Sequence, residues 1–241
     1  MGIDVSDTKL VSLNDRHERR VITSKEQAAQ VVRFGPTLVH CVFSRTRIGD
    51  ARNDGNPLIY ALKGTHGYTI GIGDIRQLHR RAAWIVRKTV EPGQYDIIVP
   101  IPSSKGIPRR VAKSLRHRLG PTAVIADILR KPTIAEALAS APDPALISRR
   151  DQQAYKHALG KLRGALPSRL FAMKDVDAKA RRYFTPVLVD PDARLPHGSK
   201  IIVVDDLLAS GTTIICAADL CRRYFRPRRL DGLALLGPLF P

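Results

Sequence analysis

Two adjacent carboxylates, followed by a short loop of small and hydroxyl residues, are the part of this sequence best suited to chemistry. Asp205 and Asp206 come directly after the apolar run 201–204, and the loop 209–213 follows. Neighbouring carboxylates repel each other and are costly to desolvate, so they favour a position that faces water, a cation or sugar hydroxyls. The 2′- and 3′-hydroxyls of a ribose offer one donor to each carboxylate, and this pair therefore predicts a ribose site.

The loop after the carboxylates is suited to a phosphate. Gly211 allows the backbone to approach a ligand closely, and Ser210, Thr212 and Thr213 add hydroxyl donors. Residues 214–224 contain neither proline nor glycine and predict a helix, whose first N–H groups and positive dipole end attract an anion. The alternative is an ordinary capped helix, with Ser210 or Thr212 as its cap.

A parallel sheet is the element that must position these groups. The β-branched run 201–204 predicts a strand buried on both faces. A second buried strand is predicted over 95–101, with a helix from residue 108 and a strand at 122–126, which together make a βαβ unit. Because ligands bind beyond the carboxyl ends of such strands, we predict an α/β fold with a doubly wound, mainly parallel sheet.

The rest of the chain predicts less regular elements. Further predictions are a short helix at 25–32, a strand at 37–43, a loop at 45–57, a strand or short helix at 57–62, a helix from Asp74 to residue 89, and strands at 186–189 and 230–236. Residues 131–199 contain seven prolines and only intermittent helical pattern. They predict a mobile insertion with a short helix at 151–162.

A second loop follows the predicted strand 95–101. Ser103, Ser104, Lys105 and Gly106 would present backbone N–H groups and one cation, which suits a pyrophosphate. The alternative is an ordinary turn between a strand and a helix, with a solvated lysine.

These segments together resemble the type I phosphoribosyltransferases. Residues 201–213 resemble the family's motif for phosphoribosyl pyrophosphate (PRPP), and 98–105, together with the upstream Leu62-Lys63-Gly64, is similar to its competence-protein branch. The resemblance covers 57–236, although only two segments in it are specific. The cysteine pairs of that branch's zinc ribbon do not occur, and Thr212 stands where the family often has a small residue.

The resemblance implies an enzyme, a pentosyltransferase that moves phosphoribosyl from PRPP to a base or related acceptor and releases pyrophosphate. It implies the type I phosphoribosyltransferase fold over 57–241, after an N-terminal extension at 1–56, with a flexible hood within 131–199 and a non-proline cis peptide in the pyrophosphate loop. The alternative is a weak or inactive PRPP- or nucleotide-sensing subunit of a nucleic-acid-binding complex for DNA uptake or phage defence.

The implied site has catalytic, binding and metal-associated residues. The catalytic residues are Asp205, Asp206 and Lys105. The PRPP-binding residues are Ser103, Ser104, Lys105, Gly106, Asp205, Asp206, Ala209, Ser210, Gly211, Thr212 and Thr213, with Lys63, Arg149 and Arg150 as additional candidates. The implied cofactor is Mg²⁺, held by Asp205 and Asp206 directly or through water.

Net charge predicts a further acidic partner. The chain of 241 residues carries a formal charge of +18, more than one anionic small molecule requires. We expect DNA or RNA to bind through a basic surface that includes Arg109, Arg110, Lys113 and Arg116. The alternative is a basic surface with no partner.

Cysteine usage and hydropathy predict the compartment. Cys41, Cys216 and Cys221 are odd in number and have no zinc-like spacing, which is typical of a reduced cytoplasmic protein. No stretch has the length of a membrane span or of a signal-peptide core. A homo-oligomer or a larger protein complex is compatible with the sequence.

Overall fold

The structure, a computed structural model, describes residues 1–24, 26, 28–46 and 56–240. In chain order the elements are β1 (Gly2–Val5), β2 (Leu10–Asn14), β3 (Val21–Ile22), β4 (Gln30–Phe34), β5 (Thr37–Thr46), α1 (Pro57–Lys63), β6 (Thr69–Ile70), α2 (Ile72–Thr89), β7 (Ile97–Pro100), α3 (Ile107–Leu119), β8 (Val124–Ile125), β9 (Leu129–Arg130), α4 (Ile134–Ala139), α5 (Gln152–Arg163), β10 (Leu188–Val189), β11 (Lys200–Leu207), α6 (Thr212–Phe225) and β12 (Arg229–Phe240).

A seven-stranded sheet lies at the centre of the described chain; six of its strands follow the order β3-β5-β12-β11-β7-β8, and the seventh, β4, pairs with β5. The strands β5, β12, β11, β7 and β8 are parallel to their neighbours. The short strands β3 and β4 pair antiparallel with different stretches of β5. The prediction of an α/β fold with a mostly parallel sheet is therefore confirmed.

Helices cover both faces of the sheet, because β11 is apolar on both. Ile202 and Val204 pack in the core that also holds residues of α1, α2 and α3. Ile201 and Val203 point the other way and pack in the core that holds the buried residues of α6. This alternation follows from the two-residue period of a strand. Within the described residues, no helix combines the length and the apolar character needed to cross a lipid bilayer.

The N-terminal region forms more strands than its polar sequence predicts. β1 and β2 make an antiparallel hairpin, and β6 adds a parallel strand beside β2. The predicted helix at 25–32 is wrong over residues 30–32, which belong to β4 and pair with β5. Pairing with the next strand, across the turn at Gly35-Pro36, overrode the local helical preference here. Residues 25, 27 and 47–55, the last within the predicted loop, lie outside the described residues.

The insertion 131–199 has its own hydrophobic core. The ring of Phe184 lies 5.5 Å from that of Tyr155 and 5.9 Å from that of Phe171, measured between centroids. The predicted helix at 151–162 is α5, and the predicted strand at 186–189 is shortened to β10, which pairs antiparallel with β9. The segment is thus an organised small unit, whereas the sequence predicts an irregular excursion.

Candidate functional site

The candidate site lies at the carboxyl edge of the parallel sheet. β11 and β7 run side by side, with Val204 opposite Pro100, and the Ile101 N–H donates to the Val204 carbonyl at 2.8 Å. The chain segments that leave these two strands therefore begin next to each other. This register brings the loop at Ser103 to the same edge as the carboxylates of Asp205 and Asp206.

A cavity of about 370 Å³ opens at this edge. Its volume falls in the range of roughly 300–1,000 Å³ that is typical of small-molecule sites. It brings together the predicted residues Lys63, Ser103, Asp205, Asp206, Ala209, Ser210, Gly211, Thr212 and Thr213. Both predicted loops and the upstream lysine thus contribute to one wall.

Five predicted residues lie outside the lining of this cavity: Ser104, Lys105, Gly106, Arg149 and Arg150. Lys105 is exposed to solvent, and Gly106 starts α3 with a φ of 64°. Arg149 and Arg150 are exposed just before α5. The described residues contain no cis peptide bond, so the one implied for the pyrophosphate loop is not found.

Lys63 holds one of the two carboxylates. Its Nζ lies 2.9 Å from Asp206 Oδ1 and 2.8 Å from Oδ2, and the Asp206 side chain is buried. Helix α1 sets this position, because the Asn56 side chain caps its start and Gly64, with a φ of 58°, ends it directly after Lys63. An ammonium ion is the partner that a buried carboxylate requires.

Asp205 lies beside this pair, in a position that is less favourable for an ionised carboxylate. Its Oδ1 accepts from the Asp206 N–H at 2.7 Å. Burial, followed by the neighbouring charge of Asp206, raises the pKa of Asp205 to about 7; the Asp206 amide and Lys63 oppose that rise. Asp205 therefore titrates near neutral pH, which is the range in which a carboxyl group can exchange a proton or bind a cation.

Hydrogen bonds from the backbone and from one buried arginine hold the start of the loop after the carboxylates. The Leu208 N–H donates to the Leu236 carbonyl at 2.8 Å, and the buried Arg45 guanidinium donates to the Leu208 carbonyl at 3.2 Å. Ser210 Oγ lies 2.8 Å from Thr212 Oγ1. Helix α6 has no side-chain hydrogen bond at its N-cap. The Thr212 N–H, the first amide of the helix, makes only a long hydrogen bond to Ser210 Oγ, at 3.5 Å. An anion could therefore replace this contact and bind the start of α6 together with the two hydroxyls.

Gly211 is required by the shape of this loop. Its φ is 79°, and a Cβ added there would lie 2.6 Å from Phe34 Cζ. We expect Gly211→Ala to lower the free energy of unfolding by about 2–5 kcal/mol, since a left-handed conformation costs an L-residue about 1–2 kcal/mol and overpacking costs about 1–3 kcal/mol. Thermal unfolding measures the loss.

Gly93→Ala is the matched control for this variant. Gly93 has a φ of 68° but no atom within 4 Å of an added Cβ, so it carries the backbone strain without the contact. We expect Gly93→Ala to cost less, and Phe34→Ala to remove the excess cost of Gly211→Ala in the double variant. Equal losses for the two glycine variants would contradict the close approach of Phe34.

The opposite wall of the cavity comes from the insertion, the segment in which the resemblance implies a hood, but the sequence predicted none of the residues that line it. Lys131, Lys174 and Arg181 line the cavity together with the apolar Met173 and Val187. With Lys63, the walls hold four cations and two carboxylates. Lys131 lies in a loop, and Lys174 and Arg181 lie in 3₁₀ helices of three residues each, so neither spacing nor a motif distinguishes them from surface charges. The balance of charge favours an anionic ligand.

The two carboxylates are the predicted ligands of Mg²⁺. Among the described residues there is no group of three or more His, Cys, Asp or Glu side chains that could enclose a metal. Mg²⁺ commonly binds through one or two carboxylates together with substrate phosphates. Asp205 and Asp206 fit that manner of binding, and Lys63 competes for the oxygens of Asp206.

The predicted nucleic-acid surface is only partly available. Arg109 forms an ion pair with Asp127, and Arg116 Nε donates to the Ala123 carbonyl at 3.2 Å. Arg110 and Lys113 are exposed on α3. Binding of DNA or RNA by these four residues stays a prediction.

Comparisons with protein-family models, with curated proteins and with solved structures give no match for this chain. What the cavity can bind is therefore inferred from its own residues: a carboxylate pair for a diol, a hydroxyl loop at a helix start for a phosphate, and four cations for further negative charge.

Proposed function

We propose that this protein binds PRPP in the cavity and transfers its phosphoribosyl group to a base or related acceptor, with release of pyrophosphate. The observation that carries the proposal is the meeting of Asp205, Asp206 and the loop 209–213 with four cations in one cavity. PRPP is a ribose with a phosphate at one end and a pyrophosphate at the other. Its hydroxyls are complementary to the carboxylates, its 5-phosphate to the loop, and its pyrophosphate to the cations.

The sugar and its 5-phosphate fit one wall. The carboxylates of Asp205 and Asp206 would accept from the 2′- and 3′-hydroxyls. The 5-phosphate would meet the hydroxyls of Ser210, Thr212 and Thr213 and the first amides of α6. This phosphate is remote from the reacting carbon, so its binding energy can position that carbon.

The pyrophosphate group would contact the four cations of the cavity. Lys63 from α1 and Lys131, Lys174 and Arg181 from the insertion would neutralise the charge that develops as the C1–O bond breaks. Asp205 and Asp206 would hold Mg²⁺, which would supply further neutralisation of the leaving group. Because residues of the insertion form one wall of the cavity, the insertion would shield bound PRPP from part of the solvent and so limit its hydrolysis.

A second function is favoured by the ion pair between Lys63 and Asp206. Both oxygens of Asp206 are already bonded to Lys63, so ribose and lysine compete for one carboxylate. A protein that binds PRPP or a nucleotide without turnover, and signals through that exchange of partners, would have the same pocket. Turnover distinguishes the sensor from the enzyme.

The test is calorimetric titration of PRPP with and without Mg²⁺, followed by an assay of pyrophosphate release with a panel of bases and related acceptors. Saturable binding with acceptor-dependent release supports the enzyme, and binding without release supports the sensor. Ribose 5-phosphate serves as the control ligand, and we expect it to bind more weakly because it lacks the pyrophosphate. Absence of PRPP binding contradicts both functions.

A further inference from the structure

A groove between α2 and α3 lies outside the candidate site and has an apolar floor. One hollow, of about 160 Å³, is lined by half-buried or buried apolar side chains that include Ile75, Ala82 and Val111. A cavity of about 150 Å³ admits a benzene-sized apolar group. The hollow is therefore large enough for one apolar side chain of a partner.

A second, more polar hollow of about 580 Å³ adjoins the first. The two share His79, Val86 and Ser114. His79 Nε2 lies 3.3 Å from Ser114 Oγ across the two helices. The adjoining hollows thus form one groove between α2 and α3, with an apolar part and a polar part.

The rim of this groove is strongly basic. The two helices carry ten Lys or Arg side chains and one acid, Asp74, which accepts from the Leu13 N–H at 3.0 Å. Five of the ten are exposed and have no hydrogen bond or ion pair within the described residues: Arg76, Arg80, Arg87, Arg110 and Lys113. Of these, Arg110 borders the apolar hollow and Arg87 the polar one.

We propose that this groove is the docking site for an acidic amphipathic helix of a partner protein. Such a helix places an apolar anchor in the hollow between Ala82 and Val111 and pairs its acidic side chains with Arg110 and Arg87. Helices recognised in this way contact a groove through residues spaced at i, i+3, i+4 and i+7. The unpaired cations and the apolar hollow are then explained by one occupant.

A nucleic acid explains the cations but not the hollow. Proteins that bind single strands stack bases on aromatic side chains beside a basic track. The lining of the groove includes no Phe, Tyr or Trp. Phosphate contacts also need no apolar cavity, since they depend on charge. The groove therefore favours a protein partner.

The test uses a synthetic helical peptide of about five turns that carries Leu at i, i+3, i+4 and i+7, Glu at positions that flank the Leu face, and Ala elsewhere, because Ala favours the helix and fewer Glu reduce repulsion between like charges. The matched control peptide keeps every Glu and replaces each Leu by Ser. Binding of both, and of a thymidine oligonucleotide, is measured by fluorescence anisotropy at about 150 mM salt, where long-range charge attraction is screened. We expect the Leu peptide to bind at least about tenfold more tightly than the Ser peptide.

Two variants of the full chain locate the site. Ala82→Phe fills the hollow, and we expect about tenfold weaker binding of the Leu peptide with no change for the oligonucleotide. Arg110→Glu should weaken the Leu peptide, whereas Arg163→Glu, an exposed position on α5, should not. Equal affinity for the two peptides, no binding of either, or indifference to both Ala82→Phe and Arg110→Glu would overturn the proposal. Tighter binding of the oligonucleotide than of the Leu peptide, lost in Arg110→Glu, would assign the face to nucleic acid instead.

Discussion

PRPP binding is expected to fall by about 10²–10⁴-fold when Asp205 and Asp206 are both replaced by Asn, because each carboxylate loses a hydrogen bond to the ribose worth about 1.5–3 kcal/mol. Asn keeps the size of the side chain and one carbonyl oxygen, so the shape of the cavity is retained. The amide also removes the negative charge that attracts Mg²⁺. Calorimetric titration of PRPP measures the change.

A matched control separates this effect from a general change of charge. Asp219 lies exposed on α6, the helix that follows the loop, and its carboxylate pairs with Arg222. Asp219→Asn removes one charge from the same region without touching the cavity, and we expect it to leave the PRPP titration unchanged. Circular dichroism shows whether the double variant is folded. Titration heats equal to those of the wild type would rule out the carboxylates as ribose ligands.

The strand and loop of the candidate site could be predicted because their signals are local. An unbroken β-branched run predicts β11, and the observed strand starts at Lys200 and ends at Leu207, close to the predicted 201–204 plus the two acids. Helix α6 begins two residues before the predicted 214. Each of these elements is specified by residues within itself.

The rest of the site depends on contacts between distant parts of the chain. Lys131, Lys174 and Arg181 reach the cavity because the core around Phe171 and Phe184 folds the insertion back over the sheet edge. Those aromatic residues follow no regular period, so no pattern in the sequence predicts their packing. The strand β4 was mistaken for a helix for a different reason: it forms a hairpin with the next strand, β5, across the turn at Gly35-Pro36, and this pairing decides its conformation.

The raised pKa of Asp205 implies a cost in stability at neutral and higher pH. Burial and the charge of Asp206 disfavour the ionised form, so the pKa of about 7 in the folded state lies above the ordinary value of 3.8 for an aspartate. Below about pH 4 the carboxyl group of Asp205 is protonated in both the folded and the unfolded state, and the stability that its neutral form contributes is fully present. That contribution is lost progressively between about pH 4 and pH 7, as the unfolded state releases its proton first. Above pH 7 the buried charge is a constant penalty.

Asp205→Asn is therefore expected to stabilise the protein at pH 8 while it weakens PRPP binding. The variant does not titrate at this position, so its advantage in melting temperature should be small at pH 5 and grow to a plateau near pH 7. A gain of about 1 kcal/mol corresponds to about 2–4 °C in a chain of this size. Melting curves of both proteins from pH 5 to pH 8.5 measure the difference, with Asp219→Asn as the exposed control. A stability gain that does not grow with pH would mean that burial and the charge of Asp206 do not raise the pKa of Asp205. It would then contradict a site in which two neighbouring carboxylates are held close together despite their repulsion.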